Sequence, residues 1–332
     1  MSVMLKAELV GDPEMVITRL VPAHSNDASG IAFAESKRYI QSALDSQVGA
    51  MIVSPLAEGI TKPHLKSSDP RMAFGTLLHL SLKSLPLTQG IHPTAVISPT
   101  ATIDSSAHIG SYCVIESGAI IEAGARIFPY CYIGDHCKVG EGTRLMPRVT
   151  LVQDIVIGKN CILHSGAVIG ADGLGFVWDG EQRVKIPHVG GVIIGDNVEI
   201  GANTCVDRAT CGETVIGEGV KLDNLVQIAH NVQLGDHTVI AAFVGVSGSA
   251  TIGKRVMMGG QAAVRDHGVV GDDVVLAGRT GVMSDVTEPG EYFGLPATPM
   301  RESMRQLAAY RRLPDLLDRV KTLEKRIAEL EK

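Results

Sequence analysis

His230 sits in a suggestive polar cluster, KLDNLVQIAHNVQLG at 221–235, together with Asp223, Asn224, Gln227 and Asn231. A neutral imidazole beside carboxylate and amide groups is what a general base needs, because such neighbours fix its tautomer and orientation. Eighteen residues on, within AAFVGVSGSATIG, lie Gly245, Ser247, Gly248 and Ser249. Small residues let a ligand approach the backbone, and a free N–H near His230 could hold an oxyanion. The bland alternative is a solvated histidine on an outward turn. His237 and His267, in LGDHTV and VRDHGV, add a three-histidine zinc reading. Their positions within the local repeat differ from that of His230, which argues against a metal.

That repeat is the element that must position these groups. From Ile91 to about Thr287 an aliphatic residue returns every six positions. One run goes from Ile91 through Ile133 and Leu145 to Ile169, a short one covers Ile194, Ile200 and Val206, and a third goes from Ile216 through Ile228 and Val246 to Val282. A period of six fits neither an α-helix nor an alternating strand; it marks a parallel β-helix of hexapeptide repeats. Three hexads close one triangular coil, and coils stack at strand spacing, so about ten coils make a prism about 45–50 Å long. Residues 18 apart then lie one above the other, which puts His230 and Gly248 on the same corner of adjacent coils.

Departures from the repeat are where function should be sought. The register breaks at GADGLGFVWDGEQRVKIPHVGG, residues 170–191, which holds the only tryptophan, Trp178. A loop leaving a rigid solenoid is a common ligand-contacting element. GADGLG is followed by neither a helix nor Gly-Lys-Ser/Thr, so it does not read as a phosphate-binding loop. A second slip lies between Val206 and Ile216, where Asp207 and Arg208 read either as an ion pair with each other or as ligand contacts.

Residues 1–89 lack the period and read as a small α/β domain, with strands at Ser29–Ala34 and Val48–Ser54, a helix between them, and a second helix opened by Asp69-Pro70. Phe33 and Tyr39 bracket the strand-to-helix turn, either as core or as a pair of rings that stack on a flat base. PLTQGIHP at 86–93 is the linker, and residues 90–288 form the solenoid domain. After Val282, TEPGEYFGLPATP at 287–299 is too rich in proline and glycine for further coils or a helix. The extension 289–332 ends in a helical tail from about Arg301, whose Leu313, Leu316, Val320, Leu323, Ile327 and Leu330 keep heptad spacing. A seam this short implies self-association aided by the solenoid. Arg301, Arg305, Arg311 and Arg312 form a basic cluster at its start, either solvated or a dock for an acidic partner.

The net charge is −6 and no basic run is present, which argues against nucleic acid or a membrane surface as partner. The sequence has neither a membrane-length apolar stretch nor a signal-peptide core, so a cytoplasmic protein is expected. No CxxC pair occurs, and Cys113, Cys131, Cys137 and Cys161 all fall in the hexad slot that Ala, Ser, Thr or Val fills elsewhere, as small buried side chains do.

GIHPTAVI at 90–97, GADGLGF at 170–176, KIPHVGGVIIGDNVEIGANTCVDR at 185–208, DNLVQIAHNV at 223–232 and GLPATPMRE at 294–302 together resemble the UDP-3-O-(3-hydroxyacyl)glucosamine N-acyltransferases of the lipid A pathway. The resemblance implies a left-handed β-helix, a homotrimer with active sites between neighbouring prisms, and transfer of a 3-hydroxyacyl group from acyl carrier protein to the 2-amine of a UDP-sugar, with no other cofactor and no metal. On that basis His230 is the catalytic histidine, Gly248 the oxyanion-hole glycine and His267 a second histidine of the groove. Phe33 and Tyr39 sandwich the uracil, with Ser36 where the family commonly has Asn; Leu174 likewise replaces the usual Phe. Asp223, Asn224 and Gln227 are expected to orient the imidazole or the sugar. Gly281 and Met283 are candidate walls of the acyl groove, and Arg301, Arg305 and Arg312 the carrier dock. The rivals are a sibling enzyme acylating a hydroxyl or using acetyl-CoA, a zinc hydratase, and a non-catalytic scaffold.

Overall fold

The computed structural model describes residues 1–83, 85–87 and 89–330; Ser84, Thr88 of the expected linker, Glu331 and Lys332 lie outside the described residues. The chain divides into two compact units, Met1–Pro86 and Leu87–Lys332.

The first unit is built on a five-stranded sheet. Its central strands, Gly30–Phe33 and Ala50–Val53, pair in parallel. Their nearly complete burial explains the continuous apolar runs in the sequence. Between them runs the helix Lys37–Asp45, opened by Ser36, whose hydroxyl accepts from the Tyr39 N–H at 3.4 Å. The helix Pro70–Leu80 starts with proline in its first turn, and the Asp69 carboxylate accepts from the Met72 N–H at 2.9 Å. These are the caps that the Ser and Asp-Pro signals encode.

The second unit is the left-handed parallel β-helix of hexapeptide repeats. Most strands are two residues long, an outward residue followed by the inward aliphatic one, and they stack into three sheets of nine, ten and eleven strands. The aliphatic column is sealed: Ile133, Leu145, Leu151, Ile200 and Ile228 are all fully buried. Each such side chain contributes about 1.5–3 kcal/mol of transfer free energy, which offsets the cost of ordering short strands that could not stand alone. The small slot also holds Cys113, Cys131, Cys137 and Cys161, all buried. At Thr143 the hydroxyl in this slot is satisfied in both directions: Oγ1 donates to the Gly158 carbonyl and accepts from the Cys161 N–H.

Regular coils advance by 18 residues, as in the pairing of Ile133 with Leu151. At the first register break the pairing jumps instead, so that Ile169 meets Val206 and Ile157 meets Ile194. The extra residues leave the prism as an excursion that includes an antiparallel hairpin of Phe176–Trp178 with Arg183–Lys185. The stretch after Val282 corrects the expectation that its prolines and glycines end the sheets. Gly290–Phe293 adds a parallel strand onto Val274–Leu276, and Thr298–Pro299 turns back antiparallel on it. Gly290 opens the strand and Gly294 follows it, so the glycines sit at its ends and Glu291, Tyr292 and Phe293 pair.

The tail is two helices, Met300–Tyr310 and Leu313–Leu330, separated at Arg311 and Arg312. Ser303 anchors the first by donating to the Phe293 carbonyl at 2.5 Å. No residue of the second is buried, and its heptad seam stands exposed in a single copy.

Candidate active site

His230 lies two residues beyond the inward Ile228, on the corner that ends the strand Gln227–Ile228. That strand is flanked by Cys205–Asp207 on one side and Gly245–Val246 on the other. The next coil adds Ala263–Val264, so His230, Gly248 and Asp266 follow one another up the same corner.

The turn fixes the tautomer of the neutral imidazole. Asn231 adopts a left-handed conformation, φ 62°, which asparagine tolerates. Its Oδ1 accepts from the Thr210 N–H at 3.0 Å and its Nδ2 donates to the Cys211 carbonyl at 2.8 Å, so the amide cannot flip. His230 Nδ1 lies 3.2 Å from that same Oδ1, an acceptor, and must therefore carry the proton. In the neutral ring Nε2 is left with its lone pair, the state a general base requires.

Nε2 faces Gly248. A Cβ on Gly248 would stand 2.7 Å from both Nε2 and Cε1 of His230, and 3.2 Å from Asp266 Oδ1. Glycine is thus needed for the ring's position. The Gly248 carbonyl accepts from the His267 N–H at 2.9 Å, whereas among the described residues the Gly248 N–H donates to no acceptor. A lone pair and an unused backbone donor on neighbouring coils can take a proton from one atom and stabilise negative charge on another.

The excursion at 170–191 covers this corner. A Cβ on Gly173 would reach within 2.8 Å of His230 Cδ2, so the loop backbone lies against the ring. His188, for which the sequence suggested no role although KIPHVGG carried it, is buried and packs edge-to-face on His230, with ring centroids 5.2 Å apart. An ion pair between Lys185 and Asp172 ties the base of the excursion, and Lys185 holds the Asp172 carboxyl below the usual range.

Asp207 and Arg208 do not pair with each other. Arg208 Nε donates to the Gly190 carbonyl at 2.8 Å, and its guanidinium lies 3.6 Å from Asp154. Asp207 is buried; loss of water pushes its carboxyl pKa up, against a hydrogen bond from Gln227 and the nearby His230 and His188. Gln227 thus reaches the site through Asp207.

Asp223 and Asn224 correct the expected cluster. They follow the strand Lys221–Leu222, which belongs to a different sheet from Gln227–Ile228, because one hexad is one side of the triangle. Asn224 Oδ1 accepts from the Ala202 N–H and Asp223 Oδ1 from the Asn224 N–H, both at 2.7 Å. Within one chain they do not orient His230; Asn231 does. They line a separate groove of about 630 Å³ with His164, Glu199 and Lys221. His237 packs over Gly219 on a third corner, away from His230. Among the described residues no group of three or more His, Cys, Asp or Glu is arranged to hold a metal ion.

His267 is exposed, its Nε2 3.6 Å from Asp266. Gly245, Ala263 and Gly281 are the outward residues of successive strands above Gln227 and form a floor of small side chains. Gly281 abuts Leu295, while Gly245 has open space where a side chain would project. Met283 is exposed near the top of this face. In the first unit Phe33 stacks on Phe74 at 5.8 Å, and Tyr39 is exposed on the first turn of its helix. Arg301 and Arg305 are exposed one turn apart on the first tail helix, beside a hollow of about 400 Å³, and Arg312 lies in the helix break.

Comparison with known proteins agrees with this architecture. The bacterial transferase hexapeptide (six repeats) model matches residues 136–171 and 213–248. A UDP-3-O-acylglucosamine N-acyltransferase of Pseudomonas fluorescens is 45% identical over 328 residues, 98% of this chain and 93% of the relative. Its namesake in Pseudomonas aeruginosa is 43% identical over 324 residues, covering 97% and 92% of the two chains. Among solved structures, the Arabidopsis UDP-N-acetylglucosamine acyltransferase superposes with a TM-score of 0.56 at 25% identity, over 61% of this chain and 71% of that one. Nearly full-length identity at this level, on a hexapeptide β-helix, places the chain in the UDP-3-O-acylglucosamine N-acyltransferase family.

Proposed function

We propose that this protein transfers a 3-hydroxyacyl chain from acyl carrier protein to the 2-amine of UDP-3-O-(3-hydroxyacyl)glucosamine, a step of lipid A synthesis. The observation that carries this reading is the His230 Nε2 lone pair set against Gly248, whose N–H is unused. Nε2 takes a proton from the attacking amine nitrogen as that nitrogen bonds to the thioester carbonyl carbon. The Gly248 N–H holds the oxyanion. As the tetrahedral intermediate collapses the C–S bond breaks, and His230 returns the proton to the departing sulfur.

The remaining residues follow from the same reading. Phe33 and Tyr39 stack on the uracil, and the Ser36 hydroxyl between them, already accepting from Tyr39, offers its hydrogen to the base. Asp207, Gln227 and His267 surround the acceptor sugar. The acyl chain runs along Gly245, Ala263 and Gly281, with Met283 as a wall. Self-association as a homotrimer sets the groove bearing Asp223 and Asn224 of one copy against the His230 corner of the next, with the exposed seam Leu313–Leu330 adding to the contact. The acidic carrier docks on Arg301, Arg305 and Arg312. Among the described residues no helix is long and apolar enough to cross a membrane; a cytoplasmic site of action fits a carrier-protein donor.

The test is incubation of the purified protein, and of His230→Ala in parallel, with 3-hydroxyacyl carrier protein and the UDP-sugar, followed by mass. A gain of one hydroxyacyl group that needs His230 is expected. Reaction only with a hydroxyl acceptor or acetyl-CoA would overturn the reading.

A further inference from the structure

His188 is only 6% exposed, and its Nε2 has no hydrogen-bond partner. Its Nδ1 lies 3.1 Å from the Ile186 carbonyl. A carbonyl oxygen only accepts, so Nδ1 carries the proton, and Nε2 of the neutral ring is a buried, unpaired acceptor. Leaving such a group dry and unmatched is unfavourable, so it points to a donor that arrives from elsewhere. The ring lies edge-to-face with His230, centroids 5.2 Å apart. The residue beside its Nε2 is Gly173: a Cβ there would stand 3.2 Å from Nε2 and 2.8 Å from His230 Cδ2, so only glycine lets the loop backbone lie this close over the nitrogen. The neighbouring Gly175 is held just as close, since a Cβ on it would come within 2.5 Å of the His188 ring. The loop is therefore shaped around this imidazole as well as around His230.

Building on the acyl-transfer reading, we propose that His188 is a substrate-recognition residue whose Nε2 accepts a hydrogen bond from a substrate hydroxyl held beside His230. Two hydroxyls can supply that donor: the 3-hydroxyl of the migrating acyl chain, and a hydroxyl of the acceptor sugar.

Both are tested with full-length His188→Phe, which keeps the ring edge against His230 but removes the acceptor, and His188→Gln, whose amide oxygen restores one. Each is assayed with a 3-hydroxyacyl donor and its 3-deoxy counterpart of equal length. His188→Phe is expected to lower kcat/KM about 10-fold, one hydrogen bond's worth, and His188→Gln to recover most of it. If the acyl hydroxyl is the donor, only the hydroxyacyl substrate suffers and the preference between the two donors collapses. If the sugar is the donor, both fall alike and the acceptor KM rises. Unchanged constants in His188→Phe, or a His188→Gln as impaired as His188→Phe, would overturn the assignment alone. A wild type that transfers no acyl chain would overturn both it and the reading beneath it.

Discussion

The Nε2 and Cε1 atoms of His230 stand 2.7 Å from the point where a side chain on Gly248 would begin. The backbone of Gly248 is outside the left-handed region, so alanine there leaves the backbone unstrained and acts by pushing aside the imidazole, with a smaller shift of the Asp266 carboxylate. Gly248→Ala is expected to cut kcat about 100-fold or more, comparable to losing an oxyanion donor, with the melting temperature nearly unchanged. Steady-state kinetics beside a thermal melt separate the two effects.

Asp207 supplies a pH dependence of stability. Burial raises its folded-state pKa above 3.8, so the folded protein keeps this proton to higher pH than the unfolded chain. Stability is therefore lost as pH rises from the unfolded value through the raised one, and the loss is complete above it. Asp207→Asn keeps a partner for Gln227 without the charge. Its melting temperature relative to wild type should climb between pH 4 and pH 7; a difference that is flat or falls with pH would contradict the assignment.

Gly245 is the clean position for probing the proposed acyl floor, since a Cβ there meets nothing within 4 Å. Gly245→Leu should shift donor preference towards shorter chains by about 10-fold or more, as expected when methylenes must compete for filled space. Gly281→Leu should do so less cleanly, because it also displaces Leu295. Competition between donors of different length reads both.

Reversal of Arg301, Arg305 and Arg312 to Glu should raise the apparent KM for carrier protein about 10-fold at low salt and leave kcat alone, because exposed charges steer association. An unchanged KM would remove the dock.

Leu316 and Leu323 are exposed on a helix that buries nothing in a single copy. Replacing both by Glu should weaken the proposed self-association, seen by sedimentation as a concentration-dependent shift to smaller species, while circular dichroism of the solenoid stays intact.

The solenoid was legible because its period is strict: an aliphatic every six residues leaves the chain no other way to bury Ile133, Leu145 or Ile228. The stacking of His230 under Gly248 could be read from the interval of 18 alone. Nearness in sequence misled where nearness in the coil mattered. Asp223 is seven residues from His230, yet one hexad turns the chain onto another face. His188 was not recognised as part of the site because it comes from an excursion whose fold no periodicity describes. Its one signal was its place inside the segment that breaks the register. Tyr292 pairs in a sheet although prolines and glycines surround it, because turn composition speaks for the ends of a strand and not for the residues between.

Because each coil repeats every 18 residues, position along the prism behaves as a storey number and position within a hexad as a compass bearing. Inserting a single hexad between the loop at 170–191 and His230 would keep an aliphatic residue at every inward position, yet it would turn the imidazole to the next wall, away from Gly173 and His188. Inserting a whole coil ahead of residue 170 would keep the bearing and only lift the room by one floor. Length variants that retain the site are thus expected to differ by complete storeys or by the size of their balconies, of which 170–191 is the largest here.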